Sequence, residues 1–178
     1  MNRLSFRRPL THAAALLASL LLLATPSWAL TQKEAESLAQ NLVTLFTTGD
    51  AAAADAAVDP MVRMRSPVLP REAVGIQNLK AFAQTNKVSF PDLAIDIEEV
   101  MVQGETMIVR FQISGTNTGP LGQLPPTGRA FSVPGVAIAL VEDGKIVDWQ
   151  DYWNAVEMYA SLGFTLVPPR PAAPTQGR

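Results

Sequence analysis

The hydrophobic spacing of the chain changes once, at Phe90-Pro91-Asp92, and that change limits the folds open to it. Before it, apolar residues recur at three and four. Ala35, Leu38, Leu42, Leu45 and Phe46 form one amphipathic helix, which opens on the capping box Thr31-Gln32-Lys33-Glu34 and ends at Gly49. Asp50 can cap a short second helix through the alanines to Ala57. Ile76, Leu79, Phe82 and Ala83 predict a third that stops near Asn86. After the change the period is two. Leu93, Ile95, Ile97 and Met101 mark one strand, and Met107, Val109, Phe111 and Ile113 a second, joined by a turn at Gln103-Gly104-Glu105. A Gly/Pro-rich segment from Gly115 to Gly128 leads to a third strand, Arg129 to Val141. Glu142-Asp143-Gly144 is a hairpin turn, Lys145 to Trp153 a fourth strand, and Ala155 to Leu162 a short helix. Helices followed by a run of antiparallel strands predict an α+β fold, with a curved sheet folded over the helices around a cavity.

The two ends read differently. Arg3, Arg7 and Arg8 precede the uncharged run Ala13 to Ala24, and small residues sit at Ser27 and Ala29. That is the pattern of a cleavable export signal; the apolar run is shorter than the ~20 residues of a membrane span, and a short membrane anchor is the alternative. The expected organisation is a signal over residues 1–29, a single domain over 30–167 and a disordered Pro-rich tail over 168–178, with a periplasmic or secreted destination.

This address removes whole classes of chemistry. The chain has no cysteine, which excludes disulfides, thiolate catalysis and cysteine-ligated zinc. Its single histidine, His12, lies in the segment expected to be removed, so a histidine base, triad or metal ligand is also excluded. Residues 30–178 carry 11 Lys+Arg against 16 Asp+Glu, without a basic cluster, which argues against nucleic acid.

The fourth strand carries the chemistry. By alternation, Val147, Trp149, Asp151 and Trp153 share one face, opposite Ile146, Asp148, Gln150 and Tyr152. With the tryptophan face inward, Asp151 is a carboxylate among aromatics. Its pKa is then raised, as an acid-base catalyst requires. The alternatives are an Asp bonded to backbone amides, or a register that exposes it. Trp149 and Trp153 can stack on a planar ligand or simply pack. Asn117, counted along the second strand's apolar face, is either a donor to a substrate oxygen or a turn residue. Met64 is a candidate pocket contact or core, Arg63 and Arg65 are pocket-mouth or surface charges, and the Gly115–Gly128 segment is a lid or a plain connection.

Taken in order, Phe90-Pro91-Asp92-Leu93, Gly115-Thr116-Asn117-Thr118-Gly119-Pro120, Pro126-Thr127-Gly128-Arg129, Asp143-Gly144-Lys145-Ile146 and Asp151-Tyr152-Trp153 resemble the SnoaL-like polyketide cyclase (ester cyclase) family. The resemblance covers about Glu34 to Gly163. It implies the nuclear transport factor 2-like α+β cone, N-terminal helices packed on a curved, mainly antiparallel sheet that encloses an apolar pocket. It also implies an aspartate, here Asp151, acting as acid-base catalyst of an intramolecular aldol closure on a small apolar carbonyl compound, with no cofactor and no metal. Histidines common in the family are replaced here by Asn117 and, in the segment from Met61 to Pro67, by residues such as Met64 and Arg65. The stretch Asp143 to Asn154 is also similar to limonene-epoxide hydrolases. A non-catalytic binding module of the cell envelope uses the same pocket in the competing reading, and the exposed sheet face offers a surface for a homodimer.

Overall fold

The computed structural model describes residues 29–165 and 167. The export signal and the Pro-rich tail therefore lie outside the described residues, apart from Ala29. Helix α1 (Gln32–Thr48) opens on the expected capping box and closes at Gly49 in the left-handed region, φ 80°. Helix α2 (Ala51–Ala57) is capped by the Asp50 side chain, which accepts from Ala52 N. Strands β1 (Val58–Arg65) and β2 (Ala73–Val74) follow, then α3 (Ile76–Ser89). The rest is β3 (Ala94–Gln103), β4 (Thr106–Thr116), β5 (Ala130–Glu142), β6 (Lys145–Trp153) and α4 (Ala155–Ser161).

The strands form one curved six-stranded sheet in the order β2-β1-β6-β5-β4-β3. Every neighbouring pair is antiparallel except β1 and β6, which run parallel. β1 and β2 were not expected. The segment carries Asp59-Pro60 next to its first residue, where proline removes a ladder donor, and its alternation is confined to Val62 and Met64 against Arg63 and Arg65. It is held as a strand by its neighbour β6 more than by its own pattern.

β6 spans the expected residues, and its imperfect alternation has a local cause. Leu140 pairs with Asp148 and Val141 with Ile146, so Val147 is an extra residue in the ladder. This β-bulge lets Ile146 be fully buried while Trp149, Asp151 and Trp153 face the cavity.

Two apolar clusters hold the layers together. One joins Leu38, Leu42 and Leu45 of α1 to Met64, Met107, Val109 and Ile146 on the sheet. The other gathers Phe90, Leu93, Phe131, Val133, Met158 and Leu162. Phe46, Ile113 and Trp153 pack against both and line the space between them. That space stays open partly because the inward positions at the middle of β5 are small: Gly135, Ala137 and Ala139. A Cβ on Gly135 would lie 2.5 Å from the Phe111 ring.

Candidate active site

The cavity has a volume of about 350 Å³, within the usual range for a small-molecule site. Among the described residues, eight aromatic side chains line it, with aliphatic groups from α1, β3 and β4. Asp151 is the one carboxylate among its described lining residues, and none of those residues is Lys, Arg or His.

Strand register places the carboxylate. β6 carries Asp151 into the cavity beside Trp149 and Trp153, and its β5 partner Ala137 offers only a methyl group. The parallel pairing of Arg65 with Gln150 brings Ser66, just past β1, level with Asp151. Asp151 is half-buried, and it faces the cavity. The Trp149 indole Nε1–H donates to Asp151 Oδ1. Desolvation pushes the Asp151 carboxyl from its ordinary 3.8 up to about 6, against the opposing hydrogen bonds of Trp149, Ser66 and Trp153. A group with that pKa can both take and return a proton near neutral pH.

Ser66 is the residue that the sequence reading missed. Its signal was the Val62/Met64 alternation that marks β1. Ser66→Ala is expected to remove a neighbouring hydroxyl that favours the charged form of Asp151. The acidic limb of any pH–rate profile then moves upward from about 6. A full hydrogen bond to a charged group is worth about one unit, which sets the upper end of the expected rise. NMR titration of the Asp151 carboxyl carbon checks it, and an unmoved midpoint would remove Ser66 from the site.

Two expected contacts lie elsewhere. Asn117 is fully buried but is not part of the cavity wall. It follows the last residue of β4, so the strand's inward direction carries it into the loop junction instead of the hollow. Its Nδ2 donates to Gly119 O (2.7 Å) and Ser89 O (3.3 Å), and its Oδ1 accepts from Thr127 N (2.9 Å). Asn117 is therefore a clamp that ties both arms of the loop to the end of α3. Gly119 completes it, since a Cβ there would lie 2.0 Å from Val88 O. Met64 points inward from β1 but is only 2% exposed and packs in the larger core cluster, beneath the helices. Trp149, Trp153 and Asp151 are the predicted residues that come together at the cavity. Arg63 and Arg65 are surface charges, held by Asp148 at 3.0 and 2.6 Å, and Arg65 also by Glu72 at 2.8 Å. Of the loop, Leu121 and Gly122 reach the cavity wall.

Known proteins share this fold. TsrD from Streptomyces laurentii superposes with a TM-score of 0.68 at 25% identity, over 75% of this chain and 98% of that one. IdmH from Streptomyces antibioticus gives 0.63 at 23%, over 74% and 99%. A protein from Catenulispora acidiphila with a ketosteroid isomerase-like fold gives 0.63 at 13%, over 74% and 97%. The last two likenesses establish the fold alone. No curated protein matches the chain. The sequence model of SnoaL-like polyketide cyclases matches residues 36–162, which span all the strands and most of the helical layer. The chain belongs to the SnoaL-like polyketide cyclase family.

Proposed function

We propose that this protein is an exported, cofactor-independent acid-base enzyme that closes or isomerises a small apolar carbonyl compound, with Asp151 as the catalytic group. Family membership supports cyclase-type chemistry without a cofactor. The observation that carries the residue assignment is a carboxylate, the one among the described lining residues, set in an aromatic cavity with its pKa raised to about 6. In the proposed step, ionised Asp151 removes a proton from the carbon beside a carbonyl. The resulting enolate carbon attacks a second carbonyl of the same molecule, forming the carbon–carbon bond. Asp151 then returns its proton to the new alkoxide, so the enzyme ends as it began. Trp149 holds one carboxylate oxygen throughout. Trp153 and Phe131 provide flat apolar walls that keep the substrate folded on itself.

The proton-abstraction half can be tested without the natural substrate. Apolar ketones in D₂O are expected to exchange the hydrogens beside their carbonyl faster with the protein than without it, by proton NMR. No acceleration across a panel that binds the cavity removes the catalytic reading. The competing reading, a binding module, draws support from the loop-clamp role of Asn117, which leaves the cavity without that second polar partner. It predicts that a bound ligand is recovered unchanged by mass spectrometry.

Export is supported by the junction at Ala29. Ala29 is exposed, whereas Leu30 is buried and its N–H donates to Gly104 O at 3.2 Å. Cleavage between them would leave the packed domain whole. Protein recovered from the periplasm or medium is expected to begin at Leu30 by N-terminal sequencing. A retained Met1 start would refute this.

A further inference from the structure

We propose that the cavity also takes apolar organic ammonium ions, the ligand's positive charge pairing with the Asp151 carboxylate and its body lying on the aromatic walls. This second ligand class rests on the cavity being the binding site, but on no turnover.

Two independent features point to it. The first is an unbalanced charge. Asp151 takes part in no ion pair among the described residues, and no cationic side chain among them lines the cavity. The nearest arginines in sequence register, Arg63 and Arg65, are occupied by Asp148 and Glu72. The Trp149 indole satisfies one oxygen with a hydrogen bond but supplies no charge. A carboxylate in that setting is stabilised most by a counter-ion that arrives already shielded from water, and a bulky ammonium is weakly hydrated. An anionic ligand meets the opposite condition, repulsion with no cation to offset it.

The second feature is the wall. Phe46, Phe111, Phe131, Trp149, Trp153 and Tyr159 present rings to the same enclosed space as the carboxylate. Ring faces attract cations through their quadrupole, most strongly for Trp and most strongly when water is excluded. An apolar lining alone would favour a tert-butyl over a trimethylammonium group, whose charge it desolvates. The rings and the carboxylate together favour the charged one. Such a ligand would compete with the carbonyl compound for Asp151 and so act as an inhibitor.

The groups facing Asp151 make its titration the readout. Ser66 approaches from the end of β1, Trp149 and Trp153 from its own strand, and Ala137 from β5. Tyr159 on α4 is the other titratable group among the described lining residues; α1, α3, β3 and β4 bring no charged side chain to the wall.

The test uses calorimetric titration of the protein with three probes of similar size: benzyltrimethylammonium, its uncharged carbon isostere neopentylbenzene, and 3-phenylpropanoate. At pH 8 the ammonium is expected to bind at least ~10-fold more tightly than the isostere, while the anion does not bind. At pH 5, about one unit below the Asp151 midpoint, the ammonium should lose roughly 10-fold and the isostere nothing. Asp151→Asn should erase the preference for charge yet keep isostere binding, which reports an intact cavity. If the isostere binds and the ammonium binds no better, the charge pairing is overturned and the cavity remains a ligand site. If neither binds, both fall. Ketone exchange, measured separately, is not decided by either outcome.

Discussion

Asp151→Asn is expected to stop catalysis and, above pH 6, to make the protein more stable. The activity loss follows, on the proposed mechanism, from removing the one carboxylate among the described lining residues, and general acid-base groups are typically worth about 10²–10⁴ in rate. The stability gain follows from the same burial. The folded Asp151 titrates near 6, above its ordinary 3.8, so the native state binds this proton more tightly than the unfolded chain. The favourable contribution is complete below about pH 3.8 and is lost as pH rises through 6. Above that, the buried charge costs on the order of 3 kcal/mol, from a shift of roughly two units at 1.36 kcal/mol each. Asparagine has the same shape and no charge, so the variant escapes that penalty. Its Tm should exceed that of the parent at pH 8 and converge with it near pH 4. Scanning calorimetry across that range, beside the ketone-exchange assay, tests both halves. An active variant, or one less stable at pH 8, would overturn the account of Asp151 given above.

Asn117→Ala is expected to cost about 2–4 kcal/mol of stability and to lower Tm by roughly 10 °C. The Asn117 side chain serves three buried or half-buried backbone groups at once, the carbonyls of Ser89 and Gly119 and the N–H of Thr127. Alanine leaves Thr127 N without this acceptor and Gly119 O without its 2.7 Å donor. Ser89 O keeps the N–H groups of Thr118 and Gly119, both at 3.2 Å, so the loss is partial. The loop should loosen where it bears Leu121 and Gly122 on the cavity wall. Ligand affinity then weakens, whereas the intrinsic chemistry at Asp151 is preserved. Denaturant melts with ligand titrations at low temperature separate the two effects. Unchanged stability with a collapsed turnover number would return Asn117 to the role of direct substrate contact.

The contrast between Asp151 and Asn117 shows where the sequence was readable. Period-two spacing says which residues share a strand face: it put Asp151 with the tryptophans of β6 and Asn117 with the apolar face of β4, and both of those faces point inward. It does not say whether the inward side meets a hollow, a packed core or a neighbouring loop. For Asp151 the hollow depends on Gly135 and Ala137 across the sheet and on the bulge at Val147. For Asn117 the outcome depends on Ser89, 28 residues away. Met64 failed as a contact for the same reason, since the helical layer covers it. Helices α1 and α2 were legible because their caps are local: Thr31 with Glu34, and Asp50 with Ala52. β1 was not, because what makes it a strand is a partner more than 80 residues later.

That pairing has a kinetic consequence. β1 lies near the start of the domain and β6 near its end, and Arg65 and Gln150 meet across 85 positions of chain. Closing so long a loop is entropically expensive, and proteins ruled by distant pairings fold slowly. β1 cannot dock, and Ser66 cannot reach the carboxylate, until the last strand has been synthesised. A nascent chain leaving the ribosome thus stays unfinished through most of translation, the condition in which a polypeptide can still be threaded through a narrow translocation pore.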